Sequence, residues 1–398
     1  MSSSSSQPLA GRRIWIAGIG GAGMSAYAAL AHAWGAEVAG WDRVDTPYLA
    51  YLDERIDVTI APESPPAPDG WEAYVSTAYA GRVEGRPRTE LLAELVSLRQ
   101  SIVVAGAHGK TTTSGMIAFC LERLGRDPAF LIGGEIPQLG GNARAGMGWL
   151  VVEGDESDRS VAATRPDVAV LLNVDLDHHA TFGSRAEVEA LFEEWLGHVP
   201  HVVRADALQP VELALAVPGE HNRRNAAAAL AALELAGVSR SDAESVIVEF
   251  EGAGRRLERK GEAGGVAVLD SYAHHPAELT ADITAVRNGG RVLALFQPHL
   301  YSRTVNLVHE FAVALASADA VCVTEIYAAR EEPLPGVSGR LIVEELARVR
   351  PGMQIAWTPA LDDGARVVSV WAQPGDTVLT LGAGDVDRAA TLLLELLA

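Results

Sequence analysis

Short runs of β-branched and apolar residues, each followed by an Ala- and Leu-rich stretch of helical length, recur along this chain of 398 residues. The pattern predicts parallel strands covered by helices, and it falls into three blocks. The first opens on Arg13-Ile-Trp-Ile-Ala-Gly18 and runs to about Arg99, with a proline-rich loop at residues 61–68. The second has predicted strands at 101–105, 149–153 and 167–173 and ends in a long helix at about 225–236. A charged, Gly-rich stretch at 251–261 precedes the third, whose strands are expected at 266–269, 291–296, 320–323 and 377–381. Open α/β sheets bind ligands beyond the carboxyl ends of their strands, so the loops that follow these strands are where chemistry is sought.

Composition narrows the picture. Hydrophobic residues make up 48% and charged residues 21%, the mixture of a folded globular chain. The formal net charge of -20 disfavours nucleic acid and membrane surfaces as partners. Cys120 and Cys322 sit in no metal or disulfide pattern and read as small buried hydrophobes. The N-terminal Met-Ser-Ser-Ser-Ser-Ser lacks the features of a signal peptide and reads as a short disordered tail, so a cytoplasmic location is expected.

The loops carry six candidate stretches. Gly18-Ile-Gly-Gly-Ala-Gly23 joins a strand to a helix as a GxGxxG loop, which lets backbone approach a pyrophosphate. Asp42 ends the next strand, where an acid would hold a ribose; taken alone, these features fit a nicotinamide or flavin cofactor, another nucleotide, or close strand–helix packing. Gly106-Ala-His-Gly-Lys-Thr-Thr-Thr113 is sharper. Its amides suit phosphate oxygens, Lys110 suits the β- and γ-phosphates, and Thr111 offers a hydroxyl to Mg²⁺, although Val104 stands where the full phosphate-loop pattern has Gly. ATP is the expected ligand. Glu153-Gly-Asp-Glu-Ser-Asp158 masses four carboxylates at a strand end, a costly arrangement unless a cation is present. Asn173-Val-Asp-Leu-Asp-His-His179 follows another strand. In the third block, Asp270-Ser-Tyr-Ala-His-His-Pro276 and Gln297-Pro-His-Leu-Tyr-Ser-Arg-Thr304 follow successive strands, so their polar residues are expected to converge. Two phosphate loops in one chain point to a ligase or kinase acting on a nucleotide-linked molecule rather than to a dehydrogenase.

Taken in order with GEHNRRNAAAA at Gly219, GAGRR at Gly252, YAAREEP at Tyr327 and LGAGD at Leu381, these stretches resemble the muramyl ligases of peptidoglycan synthesis, in particular the branch that adds L-alanine to UDP-N-acetylmuramate. The resemblance implies an α/β protein of three domains: a Rossmann-like UDP-sugar domain (1–100), a central ATP-binding phosphate-loop domain (101–262) and a Rossmann-like amino-acid domain (263–398). It implies that Gly20, Gly21 and Gly23 approach the uridine diphosphate, and that Gly106, His108, Gly109, Lys110, Thr111 and Thr112 bind ATP. Thr111, Glu153 and His178 would hold Mg²⁺. Asn222 and Asn225 match positions near the adenine, Arg256 and Asp270 match phosphate and ribose contacts, and His274 and Arg303 would face L-alanine. Lys110, His178, His274 and Arg303 would carry catalysis, in a monomer or homodimer. Three departures stand out: the family's DHxD pattern reads Asp177-His-His-Ala180, an arginine common after FQPH is Leu300, and only about two dozen residues link Trp195 to Gly219. The central domain is therefore expected to be trimmed. A ligase that recycles whole peptides and a catalytically inactive relative are the alternatives.

Overall fold

The computed structural model describes residues 7–176, 181–287, 289–329 and 331–398. Among these residues lie three sheets, of five, six and six strands.

The first sheet is built from β1 (Arg13–Ala17), α1 (Ala22–Ala33), β2 (Glu37–Asp42), β3 (Asp57–Ile60), β4 (Glu72–Val75), β5 (Arg86–Pro87) and α2 (Arg88–Ser97). Its strands are all parallel, in the order β3-β2-β1-β4-β5. The order reverses at β1, so the glycine loop after β1 opens at the switch point where such sheets take ligands. One face packs Ile14 and Ile16 against the helices. The other packs Trp15, Trp41 and Val75 beneath Ala61, Ala67 and Trp71, so the proline-rich loop stands in for a helix layer.

The second sheet comprises β6 (Ser101–Ala105), α3 (Lys110–Arg123), β7 (Ala129–Ile136), β8 (Gly141–Arg144), β9 (Leu150–Glu153), β10 (Val168–Leu171), α4 (Arg185–Leu196) and β11 (His201–Arg204), followed by α5 (Glu220–Leu235) and α6 (Arg240–Ile247). Its order, β11-β10-β6-β9-β7-β8, sets β6 between β9 and β10. Three loops, those after β6, β9 and β10, therefore leave the same edge side by side. α3 is buried on every side from Thr111 to Leu121, as a helix threaded through a core must be. Residues 205–219 carry one short 3-10 turn and no strand, as the brief link in the sequence predicts.

The third sheet contains β12 (Glu258–Ala263), β13 (Val266–Ser271), α7 (Pro276–Ala285), β14 (Val292–Phe296), α8 (Tyr301–Asn306), α9 (Val308–Leu315), β15 (Ala320–Val323), α10 (Arg340–Val349), β16 (Gln354–Trp357), α11 (Leu361–Trp371), β17 (Thr377–Leu381) and α12 (Asp387–Leu397). β13, β17, β14, β15 and β16 run parallel in that order, and β12 pairs antiparallel along the edge of β13. The chain folds as two compact units. One holds the first two sheets, through Ala216 and again over Arg223–Glu251; the other holds the third sheet, Gly252–Ala398, with Val217–Asn222.

Within the second unit, α7 carries a buried carboxyl. Asp282 accepts a hydrogen bond from Ser271 Oγ at 2.5 Å and lies 4.0 Å from His221 Nε2. Burial, with Glu278 adding to it, pushes its pKa up to about 7. An aspartate in the unfolded chain ionises near 4. The protonated group therefore contributes stability that is complete below about pH 4 and is lost as the pH rises towards 7. Asp282→Asn keeps an acceptor for Ser271 and has no charge to bury. We expect it to raise the melting temperature by several degrees at pH 8 and by much less at pH 5, as read by scanning calorimetry.

Candidate active site

The sharpest loop begins where β6 ends. Gly109, with φ +84, is the N-cap of α3, so Lys110 is its first helical residue and the amides of Lys110, Thr111 and Thr112 form an open first turn. Such a turn, with the positive end of the helix behind it, is an anion site. Asn173, after β10, braces the loop: its Oδ1 accepts from His108 N and its Nδ2 donates to His108 O, both at 2.9 Å. A Cβ at Gly109 would lie 2.5 Å from Asn225 Oδ1, so α5 packs directly on the turn. Gly109→Ala would add a left-handed backbone cost of roughly 1–2 kcal/mol to that overlap. We expect ATP affinity to fall at least tenfold with the fold retained, measured by titration calorimetry.

The acidic loop after β9 is divided among neighbours. Glu153 Oε2 accepts from Thr111 Oγ1 at 2.9 Å and from Gly133 N at 2.7 Å. Glu156, 3% exposed, holds Lys110 Nζ at 3.0 and 3.2 Å, while Nζ also donates to the carbonyls of Gly106 and Ala107. Asp155 and Asp158 both bind Arg88, at 3.1 and 2.7 Å. Three of the four carboxylates thus meet a protein cation, which offsets the repulsion that the sequence suggested a bound ion must relieve. Glu153 is instead held by a hydroxyl and an amide. With Thr111 Oγ1 beside it, it offers the pair of oxygen donors that a hard divalent cation takes. Burial works against the Lys110 charge, but Glu156, Glu153 and Asp155 outweigh it and raise its pKa, so the ammonium stays charged. His178 lies outside the described residues.

At the first sheet, Gly21 is the N-cap of α1. Gly20 N donates to Asp42 Oδ2 at 2.8 Å, Tyr79 OH donates to Asp42 Oδ1 at 3.0 Å, and Thr46 Oγ1 donates to Gly20 O at 2.7 Å. Asp42 is 8% exposed. Its carboxylate holds the glycine loop in shape and is not turned outward towards a ribose, which removes the dehydrogenase-like feature of this end of the chain. Arg88 Nη1 would lie 3.1 Å from a Cβ at Gly23, so this guanidinium borders the first turn of α1.

In the second unit, the loops after β13, β14, β15 and β17 lie along one edge. Asp270 is fully buried, and accepts from Arg255 Nε at 2.8 Å and from Thr380 Oγ1 at 2.5 Å. Arg255 also donates to the carbonyls of Gly382 and Gly384. Its neighbour Arg256 lies 3.3 Å from Glu278 and over the Tyr272 ring. Asn222 Nδ2 donates to Pro218 O at 2.7 Å. His274 Nδ1 lies 2.9 Å from the Tyr272 carbonyl, which can only accept, so Nδ1 donates there, with Glu278 3.5 Å from the same nitrogen. Arg303, 4% exposed, donates from Nη1 to His299 Nδ1 at 3.1 Å. The His299 ring meets His274 edge-on at 5.8 Å and stacks on Tyr327 at 5.9 Å. Leu300, between them, has φ +70. Leu300 N donates to Tyr327 O at 3.0 Å, Tyr327 N donates to Pro298 O at 2.8 Å, and Glu331 accepts from Ser302 N and Oγ. His274 and Arg303 are therefore brought to one place through His299, as the convergence of the two loops predicts. Arg88 and Arg255 are the residues of these sites that reading by position passes over, while Glu156, Asn173 and His299 lie in loops it marks without being singled out. The doubled arginine of GAGRR was the available signal for Arg255.

Comparisons place these sites among known proteins. Residues 104–203 match the "Mur ligase middle domain" and residues 255–384 the "Mur ligase, glutamate ligase domain". The chain is 37% identical to the UDP-N-acetylmuramate–L-alanine ligase of Thermobifida fusca, over 97% of this chain and 96% of that one. It is 39% identical to the enzyme of the same name from Streptomyces avermitilis, over 98% of each. An alignment of 459 positions with the first, against 398 residues here, leaves at least 61 positions of the relative without a counterpart. The crystal structure of a UDP-N-acetylmuramate–alanine ligase from Thermotoga maritima superposes with a TM-score of 0.77 at 26% identity, covering 96% of this chain and 98% of that one.

Proposed function

Because this chain belongs to the UDP-N-acetylmuramate–L-alanine ligases of the Mur ligase family, we propose that it joins L-alanine to the lactyl carboxylate of UDP-N-acetylmuramate in an ATP-dependent step of peptidoglycan synthesis. The observation that carries this reading is the pairing, at one sheet edge, of a phosphate-binding first turn and Lys110 with the Thr111–Glu153 oxygen pair. That is equipment for phosphoryl transfer, and a hydride-transferring enzyme would have no use for it.

The chemistry follows from the charges. The lactyl carboxylate attacks the γ-phosphorus, the bond to the β,γ-bridging oxygen breaks, and ADP leaves. The alanine amine then attacks the acyl carbon, inorganic phosphate leaves and an amide forms. Carboxylate and triphosphate repel, so the first step is mainly a matter of positioning and charge stabilisation. Lys110 and the amides of Thr111 and Thr112 meet the phosphates, with Gly106, His108 and Gly109 shaping the loop and Asn222 and Asn225 near the adenine. Mg²⁺ held by Thr111, Glu153 and His178 would neutralise triphosphate charge. Gly20, Gly21 and Gly23 receive the uridine diphosphate. Arg303 receives the alanine carboxylate, and His274, set beside it through His299, is the candidate to accept a proton from the amine. Arg256 and Asp270 fall to the nucleotide phosphate and ribose; since Asp270 is held by Arg255 and Thr380, a ribose contact from it requires that pair to loosen.

On this reading, residues 1–100, 101–262 and 263–398 serve the UDP sugar, ATP and the amino acid respectively. The enzyme works in the cytoplasm as a monomer or homodimer. No helix among the described residues is long and apolar enough to cross a membrane. Phosphate release from ATP with Mg²⁺, UDP-N-acetylmuramate and L-alanine is the test. Release that needs all four components is expected, release only with a tripeptide in place of alanine would identify a recycling ligase, and no release with any amino acid would overturn the reading.

A further inference from the structure

Arg88 stands at the start of α2, in the first sheet, yet its charge is directed at the acidic loop of the second. Nε donates to Asp158 Oδ2 at 2.7 Å and Nη2 to Asp155 Oδ2 at 3.1 Å. The Arg88 and Asp158 side chains are only 16% and 14% exposed, so solvent screens this pair weakly. The second oxygen of each aspartate binds the loop's own backbone: Asp155 Oδ1 accepts from Ser157 N and Asp158 Oδ1 from Ser160 N. Thr77, also from the first sheet, donates to Asp158 Oδ2 at 3.1 Å. Arg159, in the left-handed region at φ +61, turns the chain back. Between the two clamped aspartates sits Glu156, the residue that holds Lys110.

We propose that Arg88 is a positioning residue of the phosphoryl-transfer site: it pins residues 155–158 so that Glu156 holds Lys110 at the mouth of the phosphate loop, and it neutralises Asp155 and Asp158 so that a divalent cation is drawn to Glu153 rather than to those two neighbours. Two features support a role beyond packing. The clamp acts on both sides of Glu156, which holds Lys110. It also removes from competition two carboxylates that would otherwise be open oxygen ligands a few residues from the cation position. The same guanidinium borders Gly23, so one side chain lies against both the glycine loop of the first sheet and the acidic loop of the second.

The inference rests on the ligase reading, and wild-type protein without Mg²⁺-dependent phosphate release would end that reading first. With active wild type, Arg88→Met is expected to lower kcat by roughly 30- to 100-fold, the scale of misplacing catalytic groups by about an ångström. The Mg²⁺ concentration for half-maximal rate should rise several-fold while the KM for L-alanine holds. Arg88→Lys should recover much of the loss. In a Glu156→Gln background at saturating Mg²⁺, Arg88→Met should cost less than about threefold in kcat, because the path to Lys110 is already cut. A merely structural residue would lower the melting temperature, leave the Mg²⁺ dependence alone and add its full effect in that background; that result overturns the proposal. Should Arg88→Met fail to fold, Asp158→Asn supplies the same test at lower severity. A shifted Mg²⁺ requirement then supports the clamp, and an unshifted one refutes it.

Discussion

Lys110→Ala is expected to lower turnover by about a thousandfold or more, in a phosphate-release assay with all substrates saturating. The ammonium lies at the mouth of the open first turn of α3, held by two loop carbonyls and Glu156. Carboxylate attack on a triphosphate concentrates negative charge at that mouth, and removal of one preorganised positive group from such a site costs factors of 10² to 10³ or more. The substitution also strips the cation from Glu156, which is 3% exposed, so lost stability could pass for lost catalysis. Lys110→Ala/Glu156→Gln separates the two. Its melting temperature should return towards wild type while turnover stays low. Full turnover in Lys110→Ala would mean the phosphate-loop assignment is wrong.

Arg303→Met is expected to raise the KM for L-alanine about a hundredfold and to leave the KM for ATP within about twofold. Arg303 is the arginine of the loop Gln297–Thr304, and on the proposed reading it meets the alanine carboxylate. It is 4% exposed, and its Nη1 is oriented by His299. Truncating one partner of a buried, hydrogen-bonded charge pair costs about 2–5 kcal/mol, and a hundredfold is about 2.7 kcal/mol on that scale. Initial rates over a range of alanine concentrations decide it. An unchanged KM for alanine with a raised KM for ATP would move Arg303 to the nucleotide.

The strand–helix rhythm was enough to find three sheets, because a buried parallel strand must be apolar and must be followed by a covering helix. One element it misses is polar for a reason. β12, Glu-Arg-Lys-Gly-Glu-Ala, is an antiparallel edge strand with a register shift between Arg259 and Gly261, and an edge tolerates charge on both faces. The β7–β8 hairpin shifts register between Leu131 and Ile136, which hides its alternation. At the sites, spacing identifies which residues stand at strand ends but not which side chains meet. Arg255 and Arg256 are adjacent letters that point to different partners, Asp270 and Glu278. Arg88 is 67 residues from Asp155 and 70 from Asp158, and nothing local marks it. Asp42 stands at the expected strand end, yet its orientation is set by Gly20 and Tyr79, contacts that no position count reveals.

Leu300 holds a backbone geometry that favours glycine, φ +70 with ψ 134, at a cost of roughly 1–3 kcal/mol. The surrounding loop keeps it there through Tyr327, and His299 and Arg303 fan out from either side of it. The placement of His299 and Arg303 therefore depends on the same backbone rotation that strains Leu300. Glycine at position 300 would hold the same rotation without that strain, at the expense of a looser unfolded chain.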